Sequence, residues 1–80
     1  MHASLYTLKQ QVKMVCESKA EEFHLLGYEQ VSAEEIWECI VSSYKKEVPA
    51  LHQIVGDIYS LRVTKFMNWL TMRIYQGDFN

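Results

Sequence analysis

The stretch Val31-Ser32-Ala33-Glu34-Glu35-Ile36-Trp37-Glu38-Cys39-Ile40-Val41 contains a complete helix start. Ser32 takes the N-cap position and Glu35 follows at N3, so hydroxyl and carboxylate can each satisfy an orphan backbone N–H of the first turn. A cap of this kind contributes about 1 kcal/mol. Val31 and Ile36 occupy the N′ and N4 positions, where a hydrophobic staple sets the angle at which the chain enters the helix. Ile36, Trp37, Ile40, Val41 and Tyr44 then recur at three- and four-residue intervals and give this helix a single inward face. Lys45 and Lys46 follow, where cations favour the negative end of the helix dipole.

Upstream, Leu5, Leu8, Val12, Val15, Cys16, Phe23 and Leu26 fall within an arc of roughly 100°, the width of one buried stripe. Gly27 follows as the expected left-handed stop, with Tyr28 placed to fold back on the last turn. Downstream, Pro49 suits a first-turn position, and Leu51, Ile54, Val55, Ile58 and Leu61 form another helical stripe. Gly56 inside that helix suggests close approach by a neighbour. A break is expected near Leu61–Val63, with Thr64 as the next N-cap. Val63, Phe66, Met67, Leu70 and Ile74 then share one face, Gly77 stops the helix, and Asp78-Phe79-Asn80 reads as a frayed tail. No segment alternates with the period of a strand. The chain is therefore read as all-α, a compact four-helix single domain over 1–80, with helices at about 4–26, 33–45, 49–61 and 65–76. Phe23, Trp37, Ile40, Ile54, Ile58, Phe66 and Leu70 are the expected core.

Lys19 interrupts the first stripe between Val15 and Phe23. Snorkelling, with methylenes on the core edge and the ammonium in water, is the favoured reading. The alternative is a partly buried ion pair with Glu38 or Asp57, a weak device for stability.

Eighty residues suffice for one domain and bury only about 60–65% of the unfolded surface, so the core is thin. A hydrophobic content of 49% excludes disorder. A net charge of −2 and a pI of about 5.8 exclude a whole-surface footprint for nucleic acid, so any RNA contact needs a local patch. Two cysteines make no disulfide scaffold. With no leader-like segment and no apolar run of membrane-spanning length, a reduced, cytoplasmic protein without membrane insertion is expected.

Cys16, His24, Cys39 and His52 are four possible zinc ligands, and they lack the closely spaced ligand pairs such sites use. No metal and no cofactor are expected. Catalysis fares similarly: a Cys–His pair needs an orienting group and an oxyanion site, the glycines are isolated, and Glu21/Glu22 and Glu34/Glu35 suit helix surfaces or caps. No catalytic residue is proposed.

What remains is a second face on the last helix: Arg62, Lys65, Trp69, Met72 and Arg73. One core consumes one stripe, and this set lies off it. Trp, Met and Arg are the residue types enriched where interfaces carry energy, and Trp–Arg surfaces also stack on unpaired bases. Three cations give weak phosphate binding, since each contact releases one counterion. The patch therefore favours a protein partner over direct RNA binding. Met14 and Leu25, opposite the first helix's core stripe, form a second apolar pair that could support a homodimer.

The segments Phe23-His24-Leu25-Leu26-Gly27-Tyr28 and Ile36-Trp37-Glu38-Cys39-Ile40, with the block from His52 to Tyr75, resemble the small post-transcriptional regulators of Gram-positive bacteria. The sharpest piece, Phe66-Met67-Asn68-Trp69-Leu70-Thr71, is similar to that family's aromatic-Met-Asn-aromatic segment. The resemblance implies a non-enzymatic regulator of message stability or translation, in competence-type gene control. It also implies docking to a coiled-coil scaffold at the division site or pole. The resulting expectation is a protein-binding adaptor using the last helix, with direct mRNA binding by the same patch as the alternative. A metal-dependent structural or enzymatic role is the third reading.

Overall fold

The computed structural model describes residues 4–78; Phe79 and Asn80, part of the expected tail, lie outside them. The described residues are helical throughout their regular elements: α1 (Leu5–Gln11), α2 (Lys13–Leu25), α3 (Ala33–Ser42), α4 (Leu51–Ser60) and α5 (Val63–Arg73), the last continued by a π-helical turn, Ile74–Asp78. The all-α expectation holds, but there are five helices among the described residues, not four. The expected first helix is divided at Val12, whose φ of −105° and ψ of 11° leave helical geometry. The bonds Val12 N–H to Leu8 C=O and Cys16 N–H to Val12 C=O, both 3.0 Å, carry the i→i−4 pattern across the break. The feature is thus a kink, and it keeps Leu8, Val12, Cys16, Ala20 and Phe23 buried along one line. The ends of the expected stripe turn outward instead: Leu5 and Leu26 are exposed.

Ser4 caps α1, its Oγ accepting from Thr7 N–H at 3.1 Å. α2 closes in a Schellman motif, with Tyr28 N–H bonded to Phe23 C=O and Gly27 N–H to His24 C=O. Gly27 has φ +104°, a conformation costly for any residue with a Cβ. The His24 imidazole Nε2 meets Val31 C=O at 2.6 Å; as a carbonyl only accepts, Nε2 carries the proton and ties the loop to α2. At α3 the capping box is fully formed: Ser32 Oγ accepts from Glu35 N–H, and Glu35 Oε1 accepts from Ser32 N–H, both at 3.1 Å. Val31 and Ile36, the staple residues, are buried.

Three boundaries differ from the expected ones. α3 ends at Ser42, short of Lys45 and Lys46. The Ser42 and Ser43 hydroxyls donate to the Cys39 and Ile40 carbonyls, and Tyr44 is drawn to Asp57 instead of extending the helix. α4 starts at Leu51 behind an extended Ala50 N-cap, so Pro49 stands outside the first turn. α5 starts at Val63 with Arg62 as N-cap, two residues before the expected Thr64 cap. Gly56 is exposed, and a Cβ there would meet nothing within 4 Å, so it marks no close helix crossing. Helical geometry of the α type ends at Arg73, and the π turn runs on through Gly77.

α2 packs on α3 and α4, and α3 on α4 and α5, in a slab of about 38 × 30 × 17 Å. Phe23, Ile36, Ile54, Ile58, Phe66 and Val12 are its fully enclosed side chains. Trp37 and Ile40 are buried as expected, while Leu70 only borders the core. Lys19 is only 4% exposed, against the snorkelling expectation. Its ammonium donates to Tyr59 C=O (2.8 Å), Leu61 C=O (3.3 Å) and Glu22 Oε1 (3.2 Å). The partners are therefore the C-terminal carbonyls of α4 plus Glu22. Glu38 and Asp57, the pairings considered above, bond instead to Arg73 and Tyr44.

The capping box makes Ser32→Ala cost about 1 kcal/mol, and Phe66→Ala should cost about 3–5 kcal/mol as a fully enclosed ring is lost. Urea unfolding followed by circular dichroism measures both; a Phe66→Ala cost below that of Ser32→Ala contradicts the packing.

Candidate functional site

α5 places Arg62, Lys65, Trp69, Met72 and Arg73 at helical intervals along its outward flank. Arg62, Lys65 and Met72 are exposed, whereas Trp69 and Arg73 are half-buried. Trp69 ends an aromatic chain that begins in the core: Phe23 and Phe66 have ring centroids 5.6 Å apart, and Phe66 and Trp69 are 5.7 Å apart. The indole is therefore both a core margin and a surface group, although the spacing had placed it off the core stripe. Its orientation is held further by Arg73, whose guanidinium lies over the ring 5.3 Å from the centroid. Arg73 Nη1 also donates to Glu38 Oε1 at 2.6 Å. With both side chains nearly 40% exposed, that ion pair is worth at most about 1 kcal/mol; its main effect is to fix the guanidinium.

Beside this flank runs a shallow groove lined by Ser42, Lys45, Trp69, Met72, Arg73 and Gln76, so the end of α3 belongs to the same surface. Sequence reading missed Glu38 and Lys45 as members. Both lie outside α5, and only the α3–α5 packing brings them there. Glu38 offsets part of the cationic charge, and Lys45 restores a comparable amount.

The four candidate zinc ligands are not assembled. His24 is used in the loop bond to Val31, His52 is exposed, and among the described residues no group of three or more His, Cys, Asp and Glu is placed to hold a metal ion. Cys16 and Cys39 are buried free thiols. Burial, then the nearby Glu17 and Glu34, push the Cys16 thiol up to about 11 despite the opposing Lys9. Burial raises Cys39 against the effect of Lys65. Both are protonated at neutral pH and poor nucleophiles. Met14 and Leu25 are 80% and 83% exposed. No helix among the described residues is long and apolar enough to cross a membrane.

A family model described as a post-transcriptional regulator matches residues 5–80, and the chain belongs to that family. It is 33% identical over 76 residues to the post-transcriptional regulator ComN of Bacillus subtilis (strain 168), an alignment covering 92% of this chain and 76% of that protein. No solved structure gives a significant match.

Because Trp69 packs on Phe66 while Met72 reaches only solvent and the groove, truncations should separate the two. Trp69→Ala should cost about 2 kcal/mol, roughly half the value of a fully enclosed aromatic, and Met72→Ala less than about 0.5 kcal/mol. Equal costs in thermal unfolding contradict the half-buried position of the indole.

Proposed function

We propose that this post-transcriptional regulator is a non-enzymatic adaptor that binds a protein partner through the outward flank of α5, with Arg62, Lys65, Trp69, Met72 and Arg73 as the contact residues. The observation that carries this reading is the state of Trp69. Its ring is fixed between Phe66 and the Arg73 guanidinium, and Met72 and Lys45 flank a groove beside it. A preset aromatic beside a recess that Met72 also lines is the arrangement in which interface hot spots occur. Little side-chain entropy is then lost on binding.

The same geometry weakens the direct-RNA reading. A base stacks on an open aromatic face, and Arg73 already covers a face of Trp69 while its charge is shared with Glu38. Arg62, Lys65 and Lys45 then remain to meet phosphates, which supports only shallow salt dependence. Action on message stability or translation would follow through the recruited protein. The resemblance to a competence regulator, and the coiled-coil scaffold at the septum or pole that it implies, gives one partner class to try, in a cytoplasmic setting.

Co-purification from cell extract, with and without RNase, tests this reading on the full chain. A protein partner should survive RNase treatment, and Met72→Asp and Lys65→Glu should each reduce its recovery at least about tenfold with unchanged circular dichroism. Lys65→Glu should act chiefly on the association rate. Loss of the partner on RNase treatment, with a steep salt dependence, supports RNA contact and contradicts the adaptor reading.

A further inference from the structure

α5 carries a second unfilled surface on the side away from the Trp69 flank. The stripe Val63, Met67, Leu70 and Ile74 has the spacing of a core-facing set, yet each member stays partly or largely exposed and only Phe66 of this helix is fully enclosed. Among the described residues no further helix lies against it. A groove runs there between α5 and the α2–α3 loop, with Met67, Leu70 and Ile74 as its floor and Tyr28, Glu29 and Glu35 along the other wall. Ile74 is 50% exposed and Tyr28 40%.

Two observations restrict what can fill it. The first is shape: Met67, Leu70 and Ile74 stand at i, i+3 and i+7, so they offer a straight apolar row about 10 Å long, or two helical turns. Such a row suits a helix presenting aliphatic anchors at the same intervals. The second is charge: Glu29 and Glu35 are in the lining, and no lysine or arginine is. Glu35 Oε1 accepts from both the N–H and the hydroxyl of Ser32, so the box fixes the Glu35 carboxyl at the groove wall. A second copy docked symmetrically would bring the same acidic lining with no cation to neutralise Glu29 and Glu35, which disfavours it.

We infer that this groove is a docking site for a basic amphipathic helix, in which aliphatic anchors seat on Met67, Leu70 and Ile74 and lysines or arginines meet Glu29 and Glu35. It is separate from the Trp69 flank and stands whether or not that flank binds a protein. Together the two surfaces would let one helix join two partners.

The probe is a synthetic 18-residue Leu/Lys peptide with leucines at helical intervals. Its controls are a scrambled peptide of identical composition and a Leu/Glu peptide with the same leucine pattern. Titrations into the labelled full chain are followed by amide NMR shifts. The amphipathic Leu/Lys peptide should saturate with shifts centred on Tyr28, Glu35, Met67, Leu70 and Ile74, and bind at least tenfold tighter than either control. Glu29→Lys and Ile74→Lys, both at exposed positions, should each weaken it about tenfold with wild-type circular dichroism, while Met72→Asp should leave it unchanged. The inference is overturned if the peptide fails to bind at millimolar concentration, if the Leu/Glu peptide binds equally, or if the shifts centre on Lys65 and Met72. It is also overturned if sedimentation shows concentration-dependent self-association that Ile74→Lys abolishes, which assigns the groove to a second copy.

Discussion

The Lys19 ammonium holds together parts of the chain 40 residues distant. An isolated buried charge is costly, but this one has three donors and three acceptors within reach. Two of the acceptors are carbonyls at the end of α4, where helical carbonyls lack intrahelical partners and the dipole is negative. The cation and the helix end thus satisfy each other. The ammonium also lies 5.8 Å from the Phe23 ring centroid, linking the turn electrostatically to the aromatic chain that runs through Phe66 to Trp69. Because Leu61 and Arg62 immediately precede α5, a contact made by the middle of α2 governs where α5 begins.

The consequence for function is geometric. α5 is fastened at its N-terminal turn and through Phe66, while its two flanks remain open. One flank is aromatic and cationic, the other aliphatic and bordered by carboxylates. A small slab buries too little surface to enclose an outer helix on both sides. The thinness that limits stability is therefore also what leaves apolar rows of α5 partly exposed.

The elements that were legible in the sequence are those set by local chemistry. The Ser32–Glu35 box, the Val31–Ile36 staple and the Gly27 stop act within a few residues, so their physics is contained in the string. Trp37, Ile40, Ile54 and Ile58 followed from periodicity for the same reason, but Leu51 of the α4 stripe is exposed and the buried Cys39 of α3 was not anticipated. The kink at Val12 had no proline or glycine to announce it. Lys19 was placed in the right stripe but with the wrong surroundings, because its partners lie on α4 and no local pattern signals a carbonyl 40 residues away. At the candidate site, the spacing of Lys65, Trp69 and Met72 was readable. The half-buried state of Trp69 and the arrival of Glu38 and Lys45 depended on how α3 crosses α5, which spacing along one helix does not contain.

Native-state hydrogen exchange on Lys19→Met tests the bracing of α5 most directly, since methionine retains the apolar stem and removes the ammonium. The account predicts that the amides of Leu61 and Phe66 lose protection by at least tenfold, about 1.4 kcal/mol, and by more than the amide of Ile36 at the start of α3. Unchanged protection at Leu61 and Phe66, or an equal loss at all three, would contradict it.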